Sequence, residues 1–267
     1  EYWGYALRIG IPIVPHYLSG IILNQGDRIM IDKMVGKTEV ALYGLAYSIG
    51  MLVQLFISGM NSALTPWMYS KIKKGDIRSM RKVLQLLSVV VVGIAVALML
   101  ISPELVLIFG SPKYREAVYV IPPVAASVFF IFIYNILSMP QFYYEKTQFL
   151  MAASMAAAGA NVVLNFIFIR LFGYIAAGYT TLACYMLYSV GHYIVSKRIL
   201  VNEGIQENLM SPGFLVACSA FLIGASIICN LIFPYRILRY AILLASAGLV
   251  FWKKELLLKT MADIRKK

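Results

Sequence analysis

The stretch VLQLLSVVVVGIAVALMLISP, residues 83–103, contains no acidic or basic side chain. A helix of about 20 apolar residues is long enough to cross the roughly 30 Å hydrocarbon core of a bilayer. Six further uncharged runs of comparable length occupy residues 9–26, 40–70, 117–144, 147–169, 171–196 and 208–235. An eighth candidate, residues 237–252, is shorter and is interrupted by Arg239, whose side chain we expect to snorkel to the membrane surface. The sequence therefore predicts an all-α fold, a polytopic membrane helical bundle of about eight transmembrane helices.

The overall composition agrees with this interpretation. The chain has 267 residues, of which 61% are hydrophobic and 13% charged, whereas about 25% of the residues of an ordinary soluble domain are charged. The longest gap between apolar runs, apart from the tail, is about a dozen residues. No soluble domain fits into such a gap, so the protein is expected to act within or across the bilayer.

The net charge of +12 comes from basic residues placed between the apolar runs. Eight spans would bring the loops at 71–82, 140–148 and 197–211 to the same side as the tail at 253–267. Together with Arg8, that side holds 16 of the 24 Lys and Arg residues. Loops rich in Lys and Arg face the cytoplasm. This distribution predicts a multi-pass protein with that side in the cytoplasm, and it argues against nucleic acid as a partner.

Several apolar runs carry polar residues three or four positions apart, a spacing that places them on one helix face. The run at 9–26 and its extension hold His16, Gly20, Asn24, Asp27 and Arg28. The run at 40–70 holds Tyr43, Tyr47, Gln54, Ser58, Asn61 and Thr65. The run at 147–169 holds Ser154, Asn161 and Asn165. The run at 171–196 holds Thr181, Tyr185, Tyr188 and His192.

These polar faces allow two interpretations, because polar side chains in a membrane either hold helices together or line a cavity. For Ser154, Asn161 and Asn165 we favour helix contacts. For the stripe in 40–70 we favour a cavity, since six polar residues exceed what one helix contact needs. Asp27 and Arg28 are compatible with a structural ion pair, an interfacial end cap or a transport path. His16 is compatible with a bond to a neighbouring helix or with a proton relay, and His192 with an interfacial position.

The sequence offers no signs of enzyme chemistry. It contains no Walker A motif, no His-Glu pair at zinc-binding spacing and no Gly-x-Ser-x-Gly nucleophile motif. Its three cysteines lie in apolar runs without metal-ligand spacing and are expected to be small packing residues. We therefore expect no catalytic residue, no metal site and no cofactor.

Four segments resemble a known family. They are IPIVPHYLSGIILNQGDRIMIDKMVG at 11–36, YGLAYSIGMLVQLFISGMNSALTPWMY at 43–69, FYYEKT at 142–147 and NFIFIRLFGYIAAGYTTLACYMLY at 165–188. They resemble the second half of bacterial polysaccharide exporters, the O-antigen (Wzx-type) flippases of the multidrug/oligosaccharidyl-lipid/polysaccharide superfamily. The most specific parts are the adjacent Asp27 and Arg28 and the sequence FGYIAAGYTT.

The resemblance implies a domain plan. Family members have 12 to 14 spans in two six-helix lobes around a central cavity. Residues 1–200 would form the second lobe, residues 201–252 two trailing transmembrane helices, and residues 253–267 a basic cytoplasmic tail. The first lobe is not in this chain, so a preceding N-terminal lobe of the same protein is expected as its partner, and the chain would be half of the working transporter.

The resemblance also implies a function in surface polysaccharide and lipopolysaccharide biosynthesis, at the bacterial cytoplasmic (inner) membrane. The substrate would be an undecaprenyl-pyrophosphate-linked oligosaccharide, moved from the cytoplasmic to the outer leaflet by alternating access. Other polysaccharide assembly proteins are candidate partners. The expected cavity residues are Arg28, Asp27, Asn24, His16, Tyr47, Gln54, Ser58, Asn61 and Tyr185. Coupling to a proton or sodium gradient is left open, with Asp27 and His16 as the candidate residues.

Two other functions remain open at this stage. The first is a multidrug cation antiporter of the same superfamily, whose cavity should offer unpaired acidic residues to a cationic drug. The second is a non-transporting scaffold of a glycan assembly complex.

Overall fold

The computed structural model describes residues 2–252, and this range is helical, without a β-strand. The elements are α1 (Tyr2–Met34), α2 (Lys37–Gly50), α3 (Leu52–Lys73), α4 (Ile77–Phe109), a 3-10 helix (Pro112–Val120), α5 (Ile121–Tyr143), α6 (Thr147–Phe172), α7 (Ala176–Asn202), α8 (Pro212–Ile232) and α9 (Arg236–Trp252). The predicted helical membrane bundle is confirmed. The predicted tail at 253–267 lies outside the described residues, and the division into a lobe and trailing helices stays a prediction.

Five helical segments are long and apolar enough to cross a membrane. They are Lys37–Lys73, Ile77–Phe109, Pro112–Tyr143, Thr147–Phe172 and Pro212–Ile232. The helices α1 and α7 have 33 and 27 residues, which also suffices in length, but they carry the polar faces noted above. The helix α9 has 17 residues and corresponds to the short eighth candidate. The chain is a multi-pass membrane protein.

Contacts between connecting segments show that successive membrane-crossing segments run in alternating directions, with α2 and α3 forming one such segment. Near the start of α4, Arg81 donates from Nε to the backbone oxygen of Asn208 at 2.7 Å. At the other end of the bundle, the rings of Tyr119 and Phe233 have centroids 5.9 Å apart. The connectors at 74–76, 144–146 and 203–211 therefore share one end of the bundle, which is the arrangement that the charge distribution requires.

The helix α5 occupies the centre of the bundle. None of its 23 residues is exposed, and it packs against α2, α3, α4, α7 and α8. Pro122 and Pro123 stand in its first turn, where a missing backbone N–H costs no helical hydrogen bond. The helix α1 packs closely on α6 and more lightly on α2. Pro12 and Pro15 lie inside α1 without ending it.

The run at 40–70 is divided at Met51 into α2 and α3, which together form one candidate membrane span. At this break Gly50 packs directly on α5, where a Cβ atom would lie 2.6 Å from Cγ1 of Val124. Only glycine allows the two helices to approach so closely here.

The snorkelling predicted for Arg239 is wrong. Arg239 is only 3% exposed and donates to both carboxylate oxygens of Glu104 on α4, each at 2.8 Å. Its Nη1 also donates to the backbone oxygen of Leu100 at 2.6 Å, and the hydroxyl of Tyr240 donates to Glu104 at 3.0 Å. A two-pronged ion pair with additional hydrogen bonds stabilises a charge that would otherwise have to reach water.

The direction of insertion can be tested with cysteines at Lys74 and Lys113, which are exposed at opposite ends of α4. In a background without native cysteines, a membrane-impermeant thiol reagent should label Lys113→Cys in intact cells, but Lys74→Cys only after lysis. The reason is the concentration of basic residues at the Lys74 end. Equal labelling of both positions, or labelling of Lys74→Cys alone, would overturn the orientation.

The contact at Gly50 predicts a loss of stability for Gly50→Ala. The added methyl group would lie 2.6 Å from Val124 Cγ1 and 3.4 Å from the backbone nitrogen of Ala125, and overpacking of this kind costs about 1–3 kcal/mol. Gly59→Ala is the matched control, because a Cβ there meets nothing within 4 Å. Thermal unfolding of both variants in detergent should show a lower midpoint for Gly50→Ala than for Gly59→Ala, and equal midpoints would contradict the packing.

Candidate functional site

Asp27 on α1 is fully buried and is surrounded by hydrogen-bond donors. Its Oδ2 accepts from the hydroxyl of Tyr43 on α2 and from Oγ1 of Thr181 on α7, the latter at 3.4 Å. Its Oδ1 accepts from the backbone N–H of Arg28 at 2.9 Å. A buried carboxylate is costly unless such donors surround it, so Asp27 connects three helices at one point.

Asn24 forms a second junction about one turn away on the same face of α1. Its Oδ1 accepts from the hydroxyl of Tyr47 on α2 at 2.8 Å and from the hydroxyl of Tyr185 on α7 at 3.3 Å. Its Nδ2 donates to the backbone oxygen of Gly20 at 2.7 Å. The amide therefore uses both its acceptor and its donor, and α2 and α7 meet α1 through tyrosine hydroxyls.

Arg28 points away from Asp27, since adjacent helical residues lie on different faces. Its Nη1 donates to Oε1 of Gln25 at 2.7 Å, and its guanidinium carbon lies 4.8 Å from the centre of the Tyr47 ring. Among the salt bridges formed by residues 2–252 there is none between Asp27 and Arg28. The Nε of Arg28 is buried and has no hydrogen-bond partner within that range.

The position of these residues along α1 also bears on their role. The helix continues from Asp27 to Met34, a further distance of about 10 Å at 1.5 Å per residue. Asp27 and Arg28 therefore lie inside the helix and do not cap its end.

His16 lies on α1 towards the middle of the bundle. Its Nδ1 is 3.2 Å from the hydroxyl of Tyr188 on α7. The ring of Tyr188 in turn packs edge-on against His192, with ring centres 4.5 Å apart. His192 is fully buried, and its Nδ1 is 2.7 Å from Nε2 of Gln141 on α5. An amide on α5 thus gives His192 a buried partner, and its interfacial position stays a prediction.

A cavity of about 480 Å³ lies between α1, α5 and α7. Its lining includes the amides of Asn24, Gln25 and Asn135, the hydroxyl of Ser138, the imidazole of His16, and the rings of Tyr17, Tyr134, Phe142, Tyr185 and Tyr188. No Asp or Glu appears in the lining formed by the described residues. The cavity thus combines neutral hydrogen-bonding groups with aromatic faces.

Of the nine predicted cavity residues, six are brought together around this space. Three of the six, His16, Asn24 and Tyr185, line the cavity. Arg28 and Tyr47 donate to the lining residues Gln25 and Asn24, respectively. Asp27 accepts from the backbone of Arg28 beside them. The six residues come from α1, α2 and α7, which lie side by side here although they are far apart in the sequence.

The three predicted residues on α3 do not belong to the lining that the described residues form. Ser58 is exposed and donates to the backbone oxygen of Gln54 at 2.9 Å, one turn earlier in the same helix. Gln54 and Asn61 are half-buried. The interruption at Met51 lies between these residues and Tyr43 and Tyr47.

Sequence reasoning missed the contribution of α5. Tyr134, Asn135 and Ser138 line the cavity, and the ring of Tyr134 stacks on that of Tyr185 with an interplanar angle of 6°. The signal was present, since Tyr134, Ser138 and Gln141 follow each other at intervals of four and three residues. It was obscured by the strongly apolar sequence around it.

The buried polar residues on α6 serve as helix contacts. Oδ1 of Asn165 accepts a hydrogen bond from Thr180 on α7, and its Nδ2 donates to Oδ1 of Asn161 at 3.1 Å. These amides join α6 to α7 away from the cavity lining.

Comparisons with known proteins agree on the kind of protein. The MatE family model matches residues 12–167, which is more than half of the chain. "Lsg locus putative protein 1" of Haemophilus influenzae is 29% identical over 159 residues, covering 57% of this chain and 38% of that protein. An "Uncharacterized membrane protein" of the same species is 30% identical over 152 residues, covering 54% of this chain and 36% of that protein.

The chain thus matches less than two fifths of the length of these curated relatives. No solved structure gives a significant match. The matched family region contains α1 to α5 almost entirely and most of α6, so it includes two of the three helices that line the cavity.

Water in the cavity can be tested with a cysteine at Asn135. Asn135 lines the cavity and is half-buried, whereas the next residue on α5, Ile136, is 1% exposed and packed in the core. In a cysteine-free background, Asn135→Cys should react with a small water-soluble thiol reagent, while Ile136→Cys should not, because the reaction requires a hydrated thiolate. Equal rates at both positions would mean that the space is not accessible to water.

Proposed function

The chain belongs to the MatE family of membrane transporters, and we propose that it moves a lipid-linked oligosaccharide across the bacterial cytoplasmic membrane. The substrate class would be an undecaprenyl-pyrophosphate-linked glycan, turned from the cytoplasmic to the outer leaflet for surface polysaccharide synthesis, of which lipopolysaccharide O-antigen is one form. The observation that carries this proposal is the composition of the cavity between α1, α5 and α7. No chemical change of the substrate is required, so no catalytic residue is assigned.

The cavity suits a sugar. Hydroxyl groups of a glycan need neutral donors and acceptors when they leave water, and the amides of Gln25 and Asn135 provide both. The apolar faces of sugar rings can pack on aromatic rings, and Tyr17 and Tyr134 supply such faces beside the amides. The polyprenyl tail needs no such environment, because it can remain in the lipid.

Arg28 suits the diphosphate. A guanidinium binds phosphate oxygens in pairs through its planar array of donors. Nη1 of Arg28 is engaged by Gln25, a cavity-lining residue, while its Nε is buried without a partner among residues 2–252. No salt bridge joins Arg28 to Asp27 within residues 2–252, so the guanidinium is not bonded to that carboxylate. These features support binding of an anionic group next to the sugar site.

The multidrug cation antiporter is less well supported. A cationic drug would need a carboxylate in the cavity, and the lining formed by the described residues has none. The nearby Asp27 already accepts from Tyr43, Thr181 and the backbone of Arg28. Its acceptor capacity is used within the bundle.

The working unit would include more than this chain. We assign to the same protein an N-terminal lobe that faces the cavity from the side of α1 and α3, where large apolar side chains such as Ile21, Leu55 and Phe56 are exposed. Other polysaccharide assembly proteins are further candidate partners.

The transport reaction can be tested with the purified whole protein in lipid vesicles. A fluorescently labelled undecaprenyl-pyrophosphate oligosaccharide is incorporated in both leaflets, and an added glycosidase removes the label that it can reach from outside. With the transporter the removable fraction should rise from about half to nearly all of the label. A fraction unchanged from protein-free vesicles would support the scaffold, and uptake of a cationic dye in place of glycan movement would support the antiporter.

The role of Arg28 predicts a graded series of activities. Arg28→Ala should abolish glycan movement while the protein still reaches the membrane, and Arg28→Lys should restore part of it, because lysine keeps the charge but not the planar donor array. Arg170→Ala is the control, since Arg170 is an exposed arginine that packs on Phe166 of its own helix. It should transport normally.

A double variant distinguishes substrate binding from charge balance. Asp27→Asn with Arg28→Gln removes both charges together, which a purely structural pair tolerates better than the loss of one. If Arg28 contacts substrate, this double variant should remain inactive. Restored transport would reduce both residues to a structural role.

A further inference from the structure

A second cavity lies on the other side of the wall formed by α5 and α7. It has a volume of about 410 Å³ and runs between α5, α7 and α8. Its floor is Phe129 and Ile133 on α5, and its sides are Val190 on α7 with Leu215 and Ile223 on α8. We call this space the α8 groove.

The α8 groove has the length of one leaflet. Along α8 its lining extends from Pro212 to Ile223, a distance of about 16 Å at 1.5 Å per residue. One leaflet contributes about half of the roughly 30 Å hydrocarbon core. An extended hydrocarbon chain of a single leaflet would therefore match the groove in length as well as in polarity.

The groove becomes polar at the end where Pro212 lies. Tyr193 lines it there, and the phenol oxygen of Tyr193 is buried without a hydrogen-bond partner among the described residues. Lys197 stands one turn further along α7, at a spacing that continues the groove-lining series Met186, Val190 and Tyr193, and it is exposed.

A second basic residue approaches the same end. Arg81 on α4 donates from Nε to the backbone oxygen of Asn208, four residues before Pro212, and its side chain is 29% exposed. It also lies 3.6 Å from the carboxylate of Glu207, which offsets part of its charge. The apolar groove thus ends at one unpaired hydroxyl donor, the cation Lys197 and the ion pair of Arg81 with Glu207.

We propose that the α8 groove is a binding site for an anionic phospholipid of the bilayer. One acyl chain lies in the groove, and the phosphate and headgroup lie at Tyr193, Lys197 and Arg81. The phenol donates to a phosphate oxygen, which gives it the partner it lacks within the chain, and the two basic residues favour a headgroup with net negative charge.

The geometry favours a bilayer lipid over the tail of a transported lipid. Tyr188 lines the central cavity, whereas the next residue on α7, Ser189, lines the α8 groove. His192 likewise packs against Tyr134 and Tyr188, two residues that line the central cavity, whereas the next residue, Tyr193, lines the α8 groove. The packed helices α5 and α7 stand between the two spaces, so the site does not depend on which cargo the cavity carries.

Native mass spectrometry of the whole protein tests the site with three lipids: phosphatidylglycerol, phosphatidylcholine and undecaprenyl phosphate. The wild type should retain one phosphatidylglycerol molecule in preference to phosphatidylcholine. Lys197→Gln should lower that preference roughly five-fold, the effect expected for one basic residue at an anionic membrane surface. Lys113→Gln, at the opposite end of the bundle, should leave it unchanged.

A second pair of variants tests the acyl-chain part. Ser219 lines the groove and Ala217 is exposed on the same helix outside it. Ser219→Phe should remove the retained lipid, and Ala217→Phe should not. The proposal is overturned if both variants retain the lipid equally, if Lys197→Gln and Lys113→Gln behave alike, or if undecaprenyl phosphate displaces phosphatidylglycerol. The Lys197 comparison decides the question even if Ser219→Phe does not fold.

Discussion

The hydrocarbon core offers no hydrogen bonds, and this constraint explains most of the polar contacts in the bundle. A polar group buried there must find its partner within the protein. Asp27 shows the constraint most clearly, because it takes donors from α2, α7 and its own backbone. Glu104 and Arg239 show it at the end of the bundle, where a bound carboxylate fixes the start of α9 against α4. Each such partnership determines which helices become neighbours.

The packed helices α5 and α7 present side chains of different polarity to the two cavities that they separate. The helices α5 and α7 present Asn135, Ser138 and Tyr188 to the central cavity, and Phe129, Ile133 and Val190 to the α8 groove. A helix can do this because residues one position apart point in directions about 100° apart. The same two helices therefore contribute to one polar lining and to one apolar lining. The difference depends on side-chain spacing alone, without a change of backbone.

The sequence allowed the helices to be predicted because each uncharged run is long and its ends are marked by charge. It also indicated the polar face of α1, since His16, Gly20 and Asn24 recur at four-residue spacing. It did not indicate the close contact of Gly50 with Val124, which comes from a distant part of the chain. The burial of Arg239 likewise depends on Glu104, a partner 135 residues away. The spacing of residues in the sequence shows which side chains share one face of a helix. It does not show which other helix packs against that face.

The complete enclosure of α5 has a consequence for how this protein can change through evolution. A residue on a lipid-facing helix such as α8 can be exchanged for another apolar residue of different size, because lipid adapts its shape. A residue such as Phe132 is 0% exposed and lies in the hydrophobic core, where a change of volume must be matched by a neighbour. Divergence along α5 therefore has to proceed through paired replacements, while α8 is free to drift one residue at a time.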